Sequence, residues 1–233
     1  MESDQEIQNA AIAIVSFTDL YVQNKQRKQN EQSESLPSLT DIVSTLQYLR
    51  DQIQYFNACK QVIRVPKLLQ SLIALVTFRL GTHLREQTDL LRLEVRQRSR
   101  LCLSCIQDYR DAYVQSELVR QDYGKVICIS FCTAGGIGEE HDEEIHNGLF
   151  NIFCFLQELY EGRNNDYDYY DVDWQQSFKP LPLLARVSLE QIEEEGANEE
   201  IDALMNNKGM NGYIKGQAKD VKAETLNHFI NWD

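Results

Sequence analysis

Apolar positions along the chain recur mostly at intervals of three and four residues, the period of a helix buried on one side. Between Glu6 and Val22 they fall at 7, 10, 11, 14, 15 and 17 and then at 20 to 22, which predicts an amphipathic helix. The polar stretch from Gln23 to Glu34 has no such period and predicts a loop extending over 23–37. Pro37 follows, and Ser38 with Asp41 three residues on forms a capping pattern for a helix carrying Leu39, Ile42, Val43, Leu46 and Leu49. Pro66 is placed to start another, because a proline N–H would be unpaired in the first turn anyway. Its apolar face is broad (Leu68, Leu69, Leu72, Ile73, Leu75, Val76), and Gly81 is a candidate C-terminal cap.

The second half continues the pattern. A helix is expected over Asp89 to Ile106, with Arg92, Arg96, Arg98 and Arg100 on the surface between its apolar positions, and a shorter one over Ala112 to Val119. Lys125 to Thr133 is the most strand-like segment, continuous and β-branched, although a short apolar run does not by itself separate a strand from a buried helix. Gly135, Gly136 and Gly138 end it, and Glu143 to Tyr160 is a strongly amphipathic helix. The acidic, aromatic segment 162–179 reads as a long exposed loop. Helices are then expected over Leu181–Glu195, Glu199–Met205 and Ala218–Ile230, with a break at Asn206 to Gly212.

Many helices with short breaks predict an all-α fold. The reading is a short armadillo- or HEAT-like right-handed superhelical solenoid spanning 1–233 as a single domain, in which each unit needs its neighbours to bury its apolar face. An irregular helical bundle is the alternative on periodicity alone.

Charge sharpens this picture. The 233 residues carry a net charge of −13, unevenly spread. From Val126 onward there are 7 Lys/Arg and 21 Asp/Glu, against 16 and 15 before it. Such an acidic half repels phosphate backbones, so nucleic acid is not expected as a partner and a basic protein is. No apolar run is long enough to span a membrane, and no signal peptide is visible at Met1 to Ala10, so a cytoplasmic or nuclear location is expected. Six cysteines in apolar surroundings are expected to be free and buried.

Candidate chemistry is sparse. Cys102 and Cys105 with Cys128 and Cys132 could in principle supply four thiolates to zinc, but they lie among Leu, Ile and Phe rather than in the turns of a zinc knuckle. Thr133 to Gly138 lacks the G-x-G-x-x-G spacing and runs into acids where a phosphate would sit. His141 and His146, among Glu139 to Glu144, do not have the H-E-x-x-H spacing. Asp166, Asp168, Asp171 and Asp173 lack the glycine and the glutamate of an EF-hand loop. No nucleophile–base arrangement has supporting context, so no enzyme, cofactor or small-molecule substrate is expected. Tyr167, Tyr169, Tyr170 and Trp174, large and without an evident packing role, are the candidate protein-contact residues.

The stretch Leu189 to Leu204, with Ile192, Glu193, Glu194, Gly196, Ile201, Asp202 and Leu204 in order, resembles the final armadillo repeat of importin-α proteins. Tyr213-Ile-Lys215 and the closing helix to Phe229 are similar to that family's last helix, and Asn147 to Phe153 to the long helix of the preceding repeat. More distantly, Val65 to Leu69 and Ile7 to Phe17 resemble armadillo second and third helices. The resemblance implies an armadillo fold and a protein-binding role near the last repeats. It departs from the family at the groove, where Trp and Asn four residues apart hold basic peptides. Here those places are taken by Ile12 with Ser16, Leu101 with Cys105, and Asn147 with Asn151. The expectation is therefore an adaptor or scaffold that binds a protein, with Asn147 and Asn151 as residual groove positions. Carriage of basic localisation signals and membership of a large assembly are the alternatives.

Overall fold

The computed structural model describes residues 2–26, 36–56, 58–79, 85–108, 111–132, 142–163 and 177–230. These residues are helical throughout apart from turns and one isolated bridge between Arg163 and Phe178. Two compact units divide the chain, residues 1–109 and 110–233.

In the first unit the helices are α1 (Glu2–Gln26), α2 (Leu36–Phe56), α3 (Cys59–Ile63), α4 (Leu68–Val76) and α5 (Glu86–Asp108). Their neighbour order is cyclic: α1 packs on α2, α2 on α5, α5 on α4, and α4 on α1. Ile7, Ala11 and Ile14 of α1, Leu39, Leu46 and Leu49 of α2 and Leu72 and Leu75 of α4 are all buried, on helices that pack on one another. Aromatic rings close one end, with Phe78 between Phe17 and Tyr21 at centroid separations of 5.5 and 4.8 Å.

Several boundaries differ from expectation for identifiable reasons. Helix α1 continues to Gln26, into the polar segment expected as loop, since Gln and Lys are good helix formers. Helix α2 starts at Leu36, so Pro37 lies in its first turn and Ser38 lies inside the helix rather than capping it. Pro66 sits in a turn ahead of α4, because Lys67 takes a left-handed conformation (φ 64°) that delays the helix by one residue. Gly81 lies outside the described residues. The surface role expected for the α5 arginines fails at two positions: Arg92 and Arg96 are buried. Arg92 faces Asp89 at 3.6 Å, and Arg96 donates to the Phe78 carbonyl at 3.2 Å, which partners their charge.

The second unit contains α6 (Ala112–Arg120), α7 (Tyr123–Cys132), α8 (Asp142–Glu161), α9 (Pro182–Glu194), α10 (Ala197–Leu204) and α11 (Tyr213–Ile230), with a 3-10 turn at Met210–Gly212 before α11. The strand-like segment is helix α7. It lies against α8, α9 and α10, and Val126, Ile127, Cys128 and Phe131 are all buried, so burial on several sides erases the helical period. Helix α8 packs on α7, α9 and α11 and contributes Leu149, Ile152, Phe155, Leu156 and Leu159 to the core.

One side chain ties three of these helices together. Gln191 of α9 is buried and donates from Nε2 to the Val119 carbonyl at 2.9 Å and to Asp122 Oδ1 at 3.2 Å. Its Oε1 accepts from the Gly124 N–H at 3.1 Å. That N–H belongs to the first turn of α7, where no intrahelical acceptor exists, so Gln191 caps α7 from another helix. Gly124 is required for the approach, since a Cβ there would lie 2.8 Å from Gln191 Oε1 and 2.9 Å from the Ser188 carbonyl.

Candidate protein-binding surface

Among the described residues, the second unit contains the two arms that flank the acidic, aromatic segment 164–176. Gly162 ends α8 in a left-handed conformation (φ 68°), its N–H bonded to the Glu158 carbonyl at 3.0 Å. The chain then pairs with itself: Arg163 N–H donates to Phe178 O at 2.7 Å, and Phe178 N–H returns to Arg163 O at 3.1 Å. Leu181 N–H donates to Leu159 O at 2.7 Å, fixing the returning strand on α8 just before α9 begins with Pro182. A Cβ on Gly162 would lie 2.6 Å from both Phe178 O and Pro180 N, so only glycine lets the two arms meet. Tyr167, Tyr169, Tyr170 and Trp174 lie outside the described residues, as do the glycine run and Glu139 to His141.

Directly after these arms, α9 buries one face (Ala185, Ser188, Leu189, Gln191, Ile192) and leaves the other uncovered. On that outer face Leu183 is 78 % exposed and Val187 42 %, one helical turn apart. Arg186 and Glu190 pair beside them at 3.3 Å, and Glu193 and Glu194 continue the face toward the C-terminus. Glu194 also meets Lys125 Nζ at 2.6 Å. Acids in the last turn oppose the helix macrodipole, so helix stability does not account for their position. The outer face of α9 therefore runs from apolar to acidic.

The two asparagines expected at the groove, Asn147 and Asn151, are both half-buried on α8, between its core face and the exposed Phe150. Ile12 and Ser16 are exposed on α1, whereas Leu101 and Cys105 are half-buried on α5. In the sequence, Leu183 and Val187 blend into the apolar periodicity of α9 and so are not among the expected contact residues. Their i, i+4 spacing on the side opposite Ala185, Leu189 and Ile192 was the available signal.

The cysteines do not gather a metal site among the described residues, where no group of three or more potential ligands is present. Cys102 is buried and its Sγ donates to the Leu46 carbonyl at 3.4 Å, while burial raises its thiol far above the ordinary range. Burial foremost, with the Asp108 carboxylate, pushes Cys105 up to about 11. Cys128 donates to the Gly124 carbonyl at 3.1 Å. Metal binding needs thiolates, and burial at Cys102 and Cys105 favours thiols; the side chain of Cys132 lies outside the described residues.

No protein-family model, no curated protein and no solved structure matches the chain. Among the described residues no helix is long and apolar enough to cross a membrane.

Proposed function

We propose that the chain is a non-enzymatic protein-binding adaptor or scaffold of the cytoplasm or nucleus, and that its partner docks on the second unit beside these two arms. The observation that carries this reading is the outer face of α9, where Leu183 and Val187 stand exposed next to the fixed arms of an aromatic-rich segment. Fully burying an exposed side chain of this kind releases about 1.5–3 kcal/mol, so Leu183 has most of that to gain and Val187, 42 % exposed, less than half of it. Glu190, Glu193 and Glu194, together with the acidic balance of residues after Val126, favour a basic partner by steering its approach. The likeness of Leu189 to Leu204 to the last importin-α repeat supports an armadillo-like arrangement of α9, α10 and α11. Gly196, left-handed at φ 71°, makes the turn between the first two of these helices. Asn147 and Asn151 would be secondary contacts at the edge of the same unit.

The test is affinity purification of the full chain from cells, comparing wild type with Leu183→Glu/Val187→Glu and with Tyr167, Tyr169, Tyr170 and Trp174 replaced by alanine. A co-purifying protein recovered with wild type and lost from the α9 variant, with circular dichroism unchanged, is the expected result. Equal recovery with both variants would remove the proposed surface.

A further inference from the structure

The sequence contains two Asn-Gly steps, Asn147–Gly148 and Asn211–Gly212, and both lie within residues 110–233. At such a step the following backbone nitrogen can reach the asparagine carboxamide carbon, because glycine carries no side chain to shield it. The fold treats the two steps differently. Gly148 is buried within α8, where its N–H belongs to the helical ladder. Freeing that nitrogen means breaking a helix that packs on α7, α9 and α11.

Asn211 lies instead in the exposed turn before α11. Met210, Asn211 and Gly212 are left-handed in succession, at φ 48°, 56° and 88°. Among the described residues the Asn211 carboxamide has no hydrogen-bond partner. The Gly212 N–H is held by one turn bond, to the Gly209 carbonyl at 3.0 Å. Nothing lies within 4 Å of where a Cβ on Gly212 would sit. Asn211 ψ of 28° points the Gly212 nitrogen away from the side chain, so the turn must open before reaction. Opening breaks one local bond and relieves left-handed backbone at two non-glycine residues, so it needs no wider unfolding.

We propose that Asn211 is a modification site, deamidated spontaneously with water as co-reactant and gated by opening of this turn. The Gly212 nitrogen, its proton lost to solvent base, bonds to Cγ of Asn211. The Cγ–Nδ2 bond breaks, and Nδ2 takes up one proton and departs as ammonia, leaving a five-membered succinimide. Water then opens either imide carbonyl to give aspartate or isoaspartate, so one water enters, one ammonia leaves and no redox change occurs. The product adds a negative charge just ahead of α11, where the helix N-terminus favours it. The isoaspartyl form also lengthens the main chain in a tight left-handed turn.

The experiment incubates the full chain at mildly alkaline pH in heavy-oxygen water, native and in denaturant, and follows both sites by peptide mapping. Trypsin releases Asn211 in the fragment Gly209–Lys215. Native chain is expected to convert Asn211 at least about tenfold faster than Asn147, with isoaspartate present, whereas in denaturant the two rates converge. Asn211→Gln should abolish label in that fragment. Comparable native rates at the two sites, or an Asn211 that stays intact in the native chain, would overturn the proposal.

Discussion

Replacing Gln191 by leucine keeps the shape of the side chain and removes its amide. Three hydrogen bonds disappear, but their partners fare differently. The Val119 carbonyl still accepts from Asp122 N–H at 3.1 Å, and the exposed Asp122 carboxylate regains water. Only the Gly124 N–H is stranded, at a buried helix start. A neutral hydrogen bond contributes ~0.5–1.5 kcal/mol net, and a stranded buried donor costs ~1–3 kcal/mol, so the expected loss is roughly 2–3 kcal/mol. Urea unfolding followed by the helical circular-dichroism signal is the assay, because the described elements of residues 110–233 are helices. The midpoint should fall at unchanged slope. Gln191→Glu offers a second arm: its carboxylate can still accept from Gly124 but would face the Val119 carbonyl and the Asp122 carboxylate, so it should destabilise more as pH rises from acid to neutral. A leucine variant within ~0.5 kcal/mol of wild type would show that the amide is not a cap, since even ordinary capping residues are worth about 1 kcal/mol.

Gly162→Ala, forced to φ 68° with its Cβ 2.6 Å from two backbone atoms, should cost about 2 kcal/mol or more in the same urea assay. Asp51 is held below the usual carboxylate range, first by hydrogen bonds from Gln47 and then by Arg50. A lowered folded pKa means that its stabilisation is present above the unfolded value of ~3.9 and lost as pH falls through the folded one. Asp51→Asn should therefore flatten the acid limb of a stability–pH curve measured by circular dichroism. With a thiol group, buried Cys102 should react with a maleimide only on unfolding, and Cys105, pushed up to about 11, should react slowly near neutral pH in a time course on native chain.

The helical periods at Glu143–Tyr160 and Leu181–Glu195 were readable because each helix buries one face and exposes the other. Helix α7 hid its period by being covered on several sides, so KVICISFC looked like a strand. Arg92 and Arg96 looked like surface residues, because a sequence pattern carries no sign of the Phe78 carbonyl or the Asp89 carboxylate that accompany them inward. Helix α3, at five residues, is too short to show a period. The same limit applies to the candidate surface. Aromatic composition drew attention to the loop, whereas the exposed side of α9 became visible only once its buried side was known. Gln191 looked like an ordinary polar position, and its capping role depends on Gly124, 67 residues earlier in sequence.

The neck at Gly162, Arg163 and Phe178 makes the second unit indifferent to what lies between its arms. Both arms are already held together by backbone bonds, so the closure cost of a flexible insertion between them grows only logarithmically with its length. Doubling it would cost only about 0.6 kcal/mol. An epitope, a cleavage sequence or a small folded domain inserted between the arms should therefore leave α8 and α9 in register, because the bonds that join the arms lie outside the insertion.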